Sequence, residues 1–381
     1  MHRIQKILVI VLLLAGMIFG AAVYISKDHL RAAMAPQAET IPAATQAETT
    51  PETETVPTEP TETQEAVPTE TTQPVPTEER FRLTFVGDCT LGCSPTNYHA
   101  EVGFVKTVGE DYAYPFRNVI SWFEGDDATF ANLEGPLTDE GGPAVKKHTF
   151  RGPESYVNIL TENSVEFVSL ANNHTLDYGQ TGYDNTLKTL NAAGVPYVER
   201  DASCLITLDS GLKVGVYGVV YYAFDLQDME QEIHALREQG AEVVIVAAHW
   251  GTEGGYKPTS QQQTVGRAAI EAGADIVWGT HPHVLQPIEE YNGGIIYYSL
   301  GNFSFGGNTS PRDLDSALVS QEVIRSPEGQ IRLGECTVIP VCVSSVETGN
   351  NFQPTPYEEG TRPYERVLEK LSGTYTGPDL A

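Results

Sequence analysis

The sequence predicts an α/β domain of two packed β-sheets flanked by helices, on three observations. From Arg82 to Trp278, short runs of apolar and β-branched residues alternate with segments of helical periodicity. From Ile295 to Val343 the runs are β-rich, with no helical segment between them. Polar, metal-capable residues recur where the apolar runs stop, which is where open α/β sheets place their ligands. Early βα alternation followed by late β-hairpins suits two sheets packed on each other with helices outside.

The first strand, Arg82–Val86, runs into Gly87-Asp88, and the second is Asp127–Asn132. Pro153 opens a helix at its first turn, with Tyr156, Ile159 and Leu160 on one face. The strand Val165–Leu170 leads into Asn172-Asn173-His174. Tyr183, Leu187 and Leu190 recur at helical spacing, and Gly194 supplies the C-terminal stop. Lys213–Val220 is a strand, and the helix Asp228–Gln239 carries Met229, Ile233 and Leu236 in one stripe. The strand Glu242–Ala248 brings His249 to the sheet rim. A helix from Ser260, capped by the Ser260…Gln263 pair and closed by Gly273, precedes the strand Asp275–Trp278 and His281-Pro282-His283. Ile295–Ser299, Ser316–Ile324 and Gln330–Val343 complete the β-rich part.

Other segments precede and follow this domain. Residues 1–35 contain nineteen uncharged residues, Ile7–Ile25, with Arg3 and Lys6 before them and Lys27 after. At 1.5 Å per residue they span roughly 28 Å, which suits a transmembrane signal-anchor helix with the N-terminus in the cytoplasm and the bulk of the chain outside. The competing reading is a cleaved signal peptide, for which Ala33-Met34-Ala35 is the candidate site, leaving a secreted domain. Residues 36–80 are rich in Thr, Pro and Glu, and up to Glu79 they hold no lysine, arginine or aromatic residue. The expected state is a disordered linker holding the domain off the membrane. One domain is expected over 81–345. Residues 346–381 read as an irregular tail with a short helix at Tyr364–Leu371.

The formal charge is −28, of which about −21 remains on the chain beyond the linker. That field repels polyanions, so nucleic acid is excluded as a partner, and any anionic substrate needs cations in the site. Five cysteines, Cys89, Cys93, Cys204, Cys336 and Cys342, include no Cys-x-x-Cys pair, which excludes a zinc ribbon; free, mostly buried thiols are expected. Cys336 and Cys342 are six residues apart on one strand, roughly 20 Å if extended, too far to pair.

Candidate ligands follow from the strand ends. Asp88 is either an oxygen ligand or a turn former. Asn132 and Glu134 bracket a leucine and can face one side. Asn172, Asn173 and His174 stand where a buried strand stops; the bland alternative is a turn with a satisfied histidine. His281 and His283, two apart in extended geometry, point to one face and can share a metal cluster. Neutral imidazole, carboxylate and amide oxygen suit one or two divalent ions, Mn, Zn or Fe. Lys147 and Arg151, on an expected strand Lys147–Arg151, either hold an anionic substrate or line a solvated face, with Asn132 and Asn172 expected beside that substrate. Trp250 either packs beside the metals or belongs to the core. An exported peptidase is disfavoured, because no His-Glu-x-x-His or Gly-x-Ser-x-Gly segment is present.

Gly87-Asp88…Leu91-Gly92, Asn132-Leu133-Glu134, Asn172-Asn173-His174…Asp177-Tyr178-Gly179, His249-Trp250-Gly251, Gly279-x-His281-Pro282-His283 and Leu300-Gly301-Asn302-Phe303 occur in one linear order. Over roughly Phe81–Ile324 this resembles the CapA family of poly-γ-glutamate capsule synthesis, whose domain is similar to the calcineurin-like metallophosphoesterases. The resemblance implies a four-layer αββα fold and metal ligation by Asp88, Glu134, Asn173, His249, His281 and His283. Asn173 and His174 would be the catalytic pair, with His174 the acid that protonates a leaving group. It implies a phosphoester or anionic polymer substrate, handled by a hydrolase or transferase working beside a membrane synthase and export complex. Two positions depart from the phosphoesterase pattern: Thr90 replaces a histidine ligand, and Glu134 replaces the usual bridging aspartate. A non-catalytic polymer-binding or export module on the same fold is the alternative.

Overall fold

The computed structural model describes residues 77–222 and 225–380. The apolar segment Ile7–Ile25 and the Thr/Pro/Glu-rich stretch up to residue 76 lie outside the described residues. Among the described residues, no helix is long and apolar enough to cross a membrane.

In chain order the strands are β1 (Glu79–Thr90), β2 (Ala128–Leu133), β3 (Phe167–Ser169), β4 (Tyr197–Val198), β5 (Ser203–Thr207), β6 (Lys213–Val220), β7 (Val243–His249), β8 (Ile276–Thr280), β9 (Leu285–Tyr291), β10 (Gly294–Leu300), β11 (Asn302–Phe305), β12 (Asp315–Arg325), β13 (Ile331–Cys342) and β14 (Thr355–Pro356). They form two mixed sheets. The first runs β14-β13-β12-β1-β2-β3-β4, with β11 also paired to β1; the second runs β5-β6-β7-β8-β10-β9. β1 to β4 are mutually parallel in the first sheet, and β6, β7, β8 and β10 in the second.

Side chains alternate across these strands and so build a four-layer body. On β7, Val243, Ile245 and Ala247 enter the core between the sheets, with Phe85, Phe130, Phe167, Trp278 and Tyr297. Val244, Val246 and Ala248 turn the other way, onto Ile233, Leu236 and Val265 of the helices Leu226–Glu238 and Ser260–Glu271. On the far face of the first sheet, Val86, Leu133 and Val168 pack beneath Phe104, Ile159 and Leu190. The rings of Phe85 and Phe130 stack at 5.1 Å, and Trp278 Nε1 donates to the Val86 carbonyl at 2.9 Å, bonding one sheet to the other.

Several expected boundaries move. β1 begins at Glu79, inside the expected linker, and continues to Thr90, so Asp88 lies in a strand with shifted register and not in a turn. Pro153 precedes a 3₁₀ turn, Glu154–Tyr156, before the helix Val157–Thr161. The capping pair is Thr259 and Gln262, one residue earlier than expected, because Thr259 takes the extended backbone from which its hydroxyl reaches the Gln262 amide. Lys147–Arg151 is not a strand; only Arg151 and Gly152 make isolated bridges, to Cys93 and Leu137. The expected irregular tail contains the helix Arg362–Leu371, whose Val367 and Leu371 belong to the inter-sheet core. All five cysteines are free: Cys89 and Cys93 are buried and the other three half-buried.

Candidate metal centre

The parallel strands of both sheets end at one rim. β1 delivers Asp88 and Thr90, β2 delivers Asn132 and then Glu134, and the turn after β3 delivers Asn172, Asn173 and His174. From the second sheet, β7 ends at His249 and the turn after β8 carries His281 and His283. Close backbone approach sets the first ligand: Asp88 N donates to the Gly301 carbonyl at 2.8 Å, and a side chain at Gly87 would stand 2.0 Å from that oxygen. Contrary to the extended geometry expected from the sequence, His281-Pro282-His283 is a turn. Both histidines have positive φ, 97° and 57°, with their ring centres 6.0 Å apart.

Six expected ligands converge. Asp88 Oδ1 accepts from Asn132 Nδ2 at 2.8 Å, and Asp88 Oδ2 lies 3.2 Å from His283 Nδ1. His249 Nε2 lies 3.0 Å from Asn173 Oδ1 and 3.1 Å from His281 Nδ1, while its Nδ1 meets Thr280 Oγ1 at 3.0 Å. Glu134 Oε2 accepts from Thr90 Oγ1 at 3.1 Å. Glu134 Oε1 is buried without a hydrogen-bond partner. Around it stand the Nε2 atoms of His249, His283 and His174, at 3.7, 3.8 and 4.0 Å. Those separations exceed a hydrogen bond. They match nitrogen and oxygen ligands about 2.1 Å from a shared ion, which lie roughly 3–4.2 Å apart. Asp88, Glu134 and His249 are fully buried and offer ligand atoms within 4.8 Å of one another. The donor set fits a divalent cation.

Electrostatics agree with the geometry. Burial, with Asp88 beside it, pushes the Glu134 carboxyl well above the usual carboxylate range. Burial, with His281 and His283 nearby, holds His249 well below the usual imidazole range, and burial with His283 brings His281 down to about 4. Burial opposes a charged His283, but the Glu134 and Asp88 carboxylates outweigh it and hold that imidazole up. Ligation needs deprotonated donors, so His249 and His281 stand ready as neutral imidazoles, whereas a cation has to displace the protons that Glu134 and His283 keep without it.

His174 faces a cavity of about 380 Å³ together with Phe150, Glu253, His283, Asn302 and Arg312. Its Nδ1 is 2.8 Å from Asp177 Oδ2, and its ring lies 4.6 Å from that of Phe150. Asp177 also accepts from Phe150 N at 2.6 Å and pairs with Lys146. Burial lowers the His174 pKa, against the pull of Asp177.

The expected substrate-binding residues fare differently. Asn132 is sealed behind Asp88, where its Oδ1 accepts from Asn172 Nδ2 at 3.2 Å. Asn172, itself buried, edges a second groove of about 270 Å³ with Asn173, Arg200 and Tyr222. Arg151 lies outside the cavity wall, its guanidinium 4.7 Å from the Tyr98 ring and 4.9 Å from the Tyr178 ring. Lys147 is exposed and also off the cavity, because its segment is irregular and not a strand with alternating faces. Its neighbour Lys146 does the contacting, with Nζ 2.9 Å from the Asn173 carbonyl. Trp250 is core packing, its Nε1 bonded to the Tyr298 carbonyl at 2.9 Å. Sequence reasoning missed Asp177 as the partner of His174, although the three-residue spacing was visible. It also missed Lys146, Thr280 and Glu253, for which no sequence signal stood out.

Comparison with known proteins is consistent over most of this region. The family described as bacterial capsule synthesis protein PGA_cap matches residues 82–307. The capsule biosynthesis protein CapA of Bacillus anthracis is 32% identical over 322 residues, covering 77% of this chain and 74% of that protein. The PGA biosynthesis protein CapA of Bacillus subtilis is 32% identical over 292 residues, covering 69% and 74%. Among solved structures, a putative 5'-nucleotidase from Staphylococcus aureus aligns with a TM-score of 0.43 at 16% identity, over 76% of this chain and 58% of that one.

Proposed function

The chain belongs to the bacterial capsule synthesis protein family, and from that premise we propose a CapA-type accessory role in poly-γ-glutamate capsule synthesis, exercised through a metal-dependent hydrolase or transferase site. One observation carries the reading: the buried, unpartnered Glu134 Oε1 ringed by three imidazole nitrogens at 3.7–4.0 Å. Asp88, Glu134, Asn173, His249, His281 and His283 would hold one or two divalent ions. When bound, such ions acidify water and neutralise charge developing on a phosphoryl or carbonyl oxygen.

The protein's own groups supply the rest. His174 presents Nε2 on the Glu134 side and keeps Nδ1 on Asp177, which fixes ring and tautomer for handing a proton to a departing oxygen. An anionic substrate beside the ring favours the protonated imidazole and so offsets the effect of burial. Lys146 ties Asp177 to the Asn173 carbonyl and thereby couples the acid to the amide ligand. The cavity walls bring Arg312 and His148 toward the same space.

The test is the chain assayed with Mn, Zn or Fe on a phosphodiester, a phosphomonoester and γ-linked glutamate. His174→Ala should lower turnover by about 100- to 10,000-fold while leaving bound metal unchanged. Turnover equal to the parent protein would remove His174 from the acid's role. A second reading, a polymer-binding or export module, draws support from Thr90, whose hydroxyl bonds Glu134 where the phosphoesterase pattern carries a ligand. Metal binding with no turnover on any of the three substrates would favour it. In either reading we place the domain outside the cytoplasm, anchored by Ile7–Ile25 beside a membrane synthase and export complex. Protease added to intact cells should then digest the domain.

A further inference from the structure

We propose that Glu253 is a metal ligand, forming with His281 and His283 an outer cation position that makes good the ligand missing at Thr90. The inference rests on the metal reading of the site and not on its hydrolytic activity. Its first support is proximity: Glu253, His281 and His283 each offer a ligand atom within 4.8 Å of the other two. Ligands of one Zn or Mn ion lie roughly 3–4.2 Å apart, so the three side chains stand close to the spacing that a shared ion needs.

The second support is the loop that carries Glu253. After β7 ends at His249, the chain turns with positive φ at Gly251 (90°) and Gly254 (76°). Gly254 N then donates to the Pro282 carbonyl at 2.8 Å. Pro282 stands between the two histidines, so this bond fastens the residue after Glu253 to the turn that holds them. On its other side Gly254 O accepts from Leu380 N at 2.9 Å. The His281 ring is held in turn by Tyr221, stacked at 4.9 Å and 20°. Glu253 is exposed, yet the backbone directly after it is held by two hydrogen bonds at Gly254.

Charge supplies the third support. Position 90 is occupied by a hydroxyl already donating to Glu134 Oε2 at 3.1 Å, so it supplies no negative or imidazole donor. Asp88 and Glu134 carry −2 between them, which balances one divalent ion. A second ion adds +2, and Glu253 lowers that excess to +1. The remaining positive charge faces the 380 Å³ cavity that Glu253, His283 and His174 line together. On a strongly acidic protein this local excess is what draws in an anionic substrate.

The experiment is a Mn²⁺ titration of the chelator-stripped full-length chain in detergent, by calorimetry and by electron paramagnetic resonance. The parent protein should bind two ions per chain, one tightly and one more weakly, with the signal of a spin-coupled pair at saturation. Glu253→Gln should weaken the second ion on the order of tenfold or more, leave the first unchanged, and give the signal of isolated Mn²⁺. Thr90→Val should keep both ions. Near-ultraviolet circular dichroism of each stripped variant checks that the fold is intact. Unchanged affinity of both ions in Glu253→Gln overturns the proposal, as does a parent protein that binds a single ion. A parent protein that binds none overturns the metal reading with it.

Discussion

Asp315 and Glu134 are both carboxylates without exposed side-chain surface, and they are treated in opposite ways. Asp315 accepts from Arg366 Nε and Nη2 at 2.6 Å, from Lys370 Nζ at 2.7 Å and from Tyr357 at 3.0 Å. Lys370 also bonds Asp313, at 2.7 Å, and Asp313 accepts from Tyr256 at 2.8 Å, so two acids meet two bases and both are hydrogen-bonded. Burial alone would raise the Asp315 pKa, yet Arg366 and Lys370 bring it below the ordinary carboxylate value. Glu134 has one hydroxyl on one oxygen and nothing bonded to the other, and its pKa goes up. Burial is common to both clusters. The unmatched charge marks the site, because a buried polar group without a partner is costly unless something else binds it.

The largest effect that could break this contrast is on the matched side. Lys370→Met leaves Asp313 and Asp315 short of one cation, and should cost about 3–5 kcal/mol of unfolding free energy in a urea titration, with Mn²⁺ affinity unaffected. On the unmatched side, Glu134→Gln should leave the chelator-treated protein as stable as the parent or more so. The parent should gain about 2.7 kcal/mol from Mn²⁺ at one hundred times its dissociation constant, and the variant almost none. If both variants were equally destabilised in chelator, the two clusters would be of one kind.

The smallest effect is acid sensitivity. The folded pKa of Asp315 lies below its unfolded value, so its contribution is complete above about pH 4 and is lost as pH falls through the folded value. Thermal midpoints of the metal-free protein between pH 5 and pH 2 should fall less steeply in Asp315→Asn than in the parent.

The strand ends were legible because β7 and β8 are buried on both faces and read as continuous apolar runs, so His249 and the His281–His283 pair stand out where they stop. Asp88 was legible for the same reason, although the bulged register that keeps it within β1 was not. The C-terminal helix was legible from Tyr364 onward, but its docking was not, because its core contacts reduce to Val367, Leu371 and a buried lysine, amid Gly, Pro and Thr. Lys147 was assigned on an expected strand Lys147–Arg151 that does not form, and the Asp177 contact that engages Lys146 instead exists only in three dimensions. Glu253 is an exposed acid among many, and the Gly254–Pro282 bond that sets it beside the histidines has no signature in the sequence.

Left-handed backbone at two histidines flanking a proline is costly for residues with a Cβ, about 1–3 kcal/mol at each. The surrounding fold bears that cost before any ion arrives, so the imidazoles are preorganised and capture needs little rearrangement. The same turn is poised to relax first when the body around it softens. Warming or mild denaturant should therefore release cations while both sheets are still intact, making loss of bound metal an early alarm for a weakening scaffold.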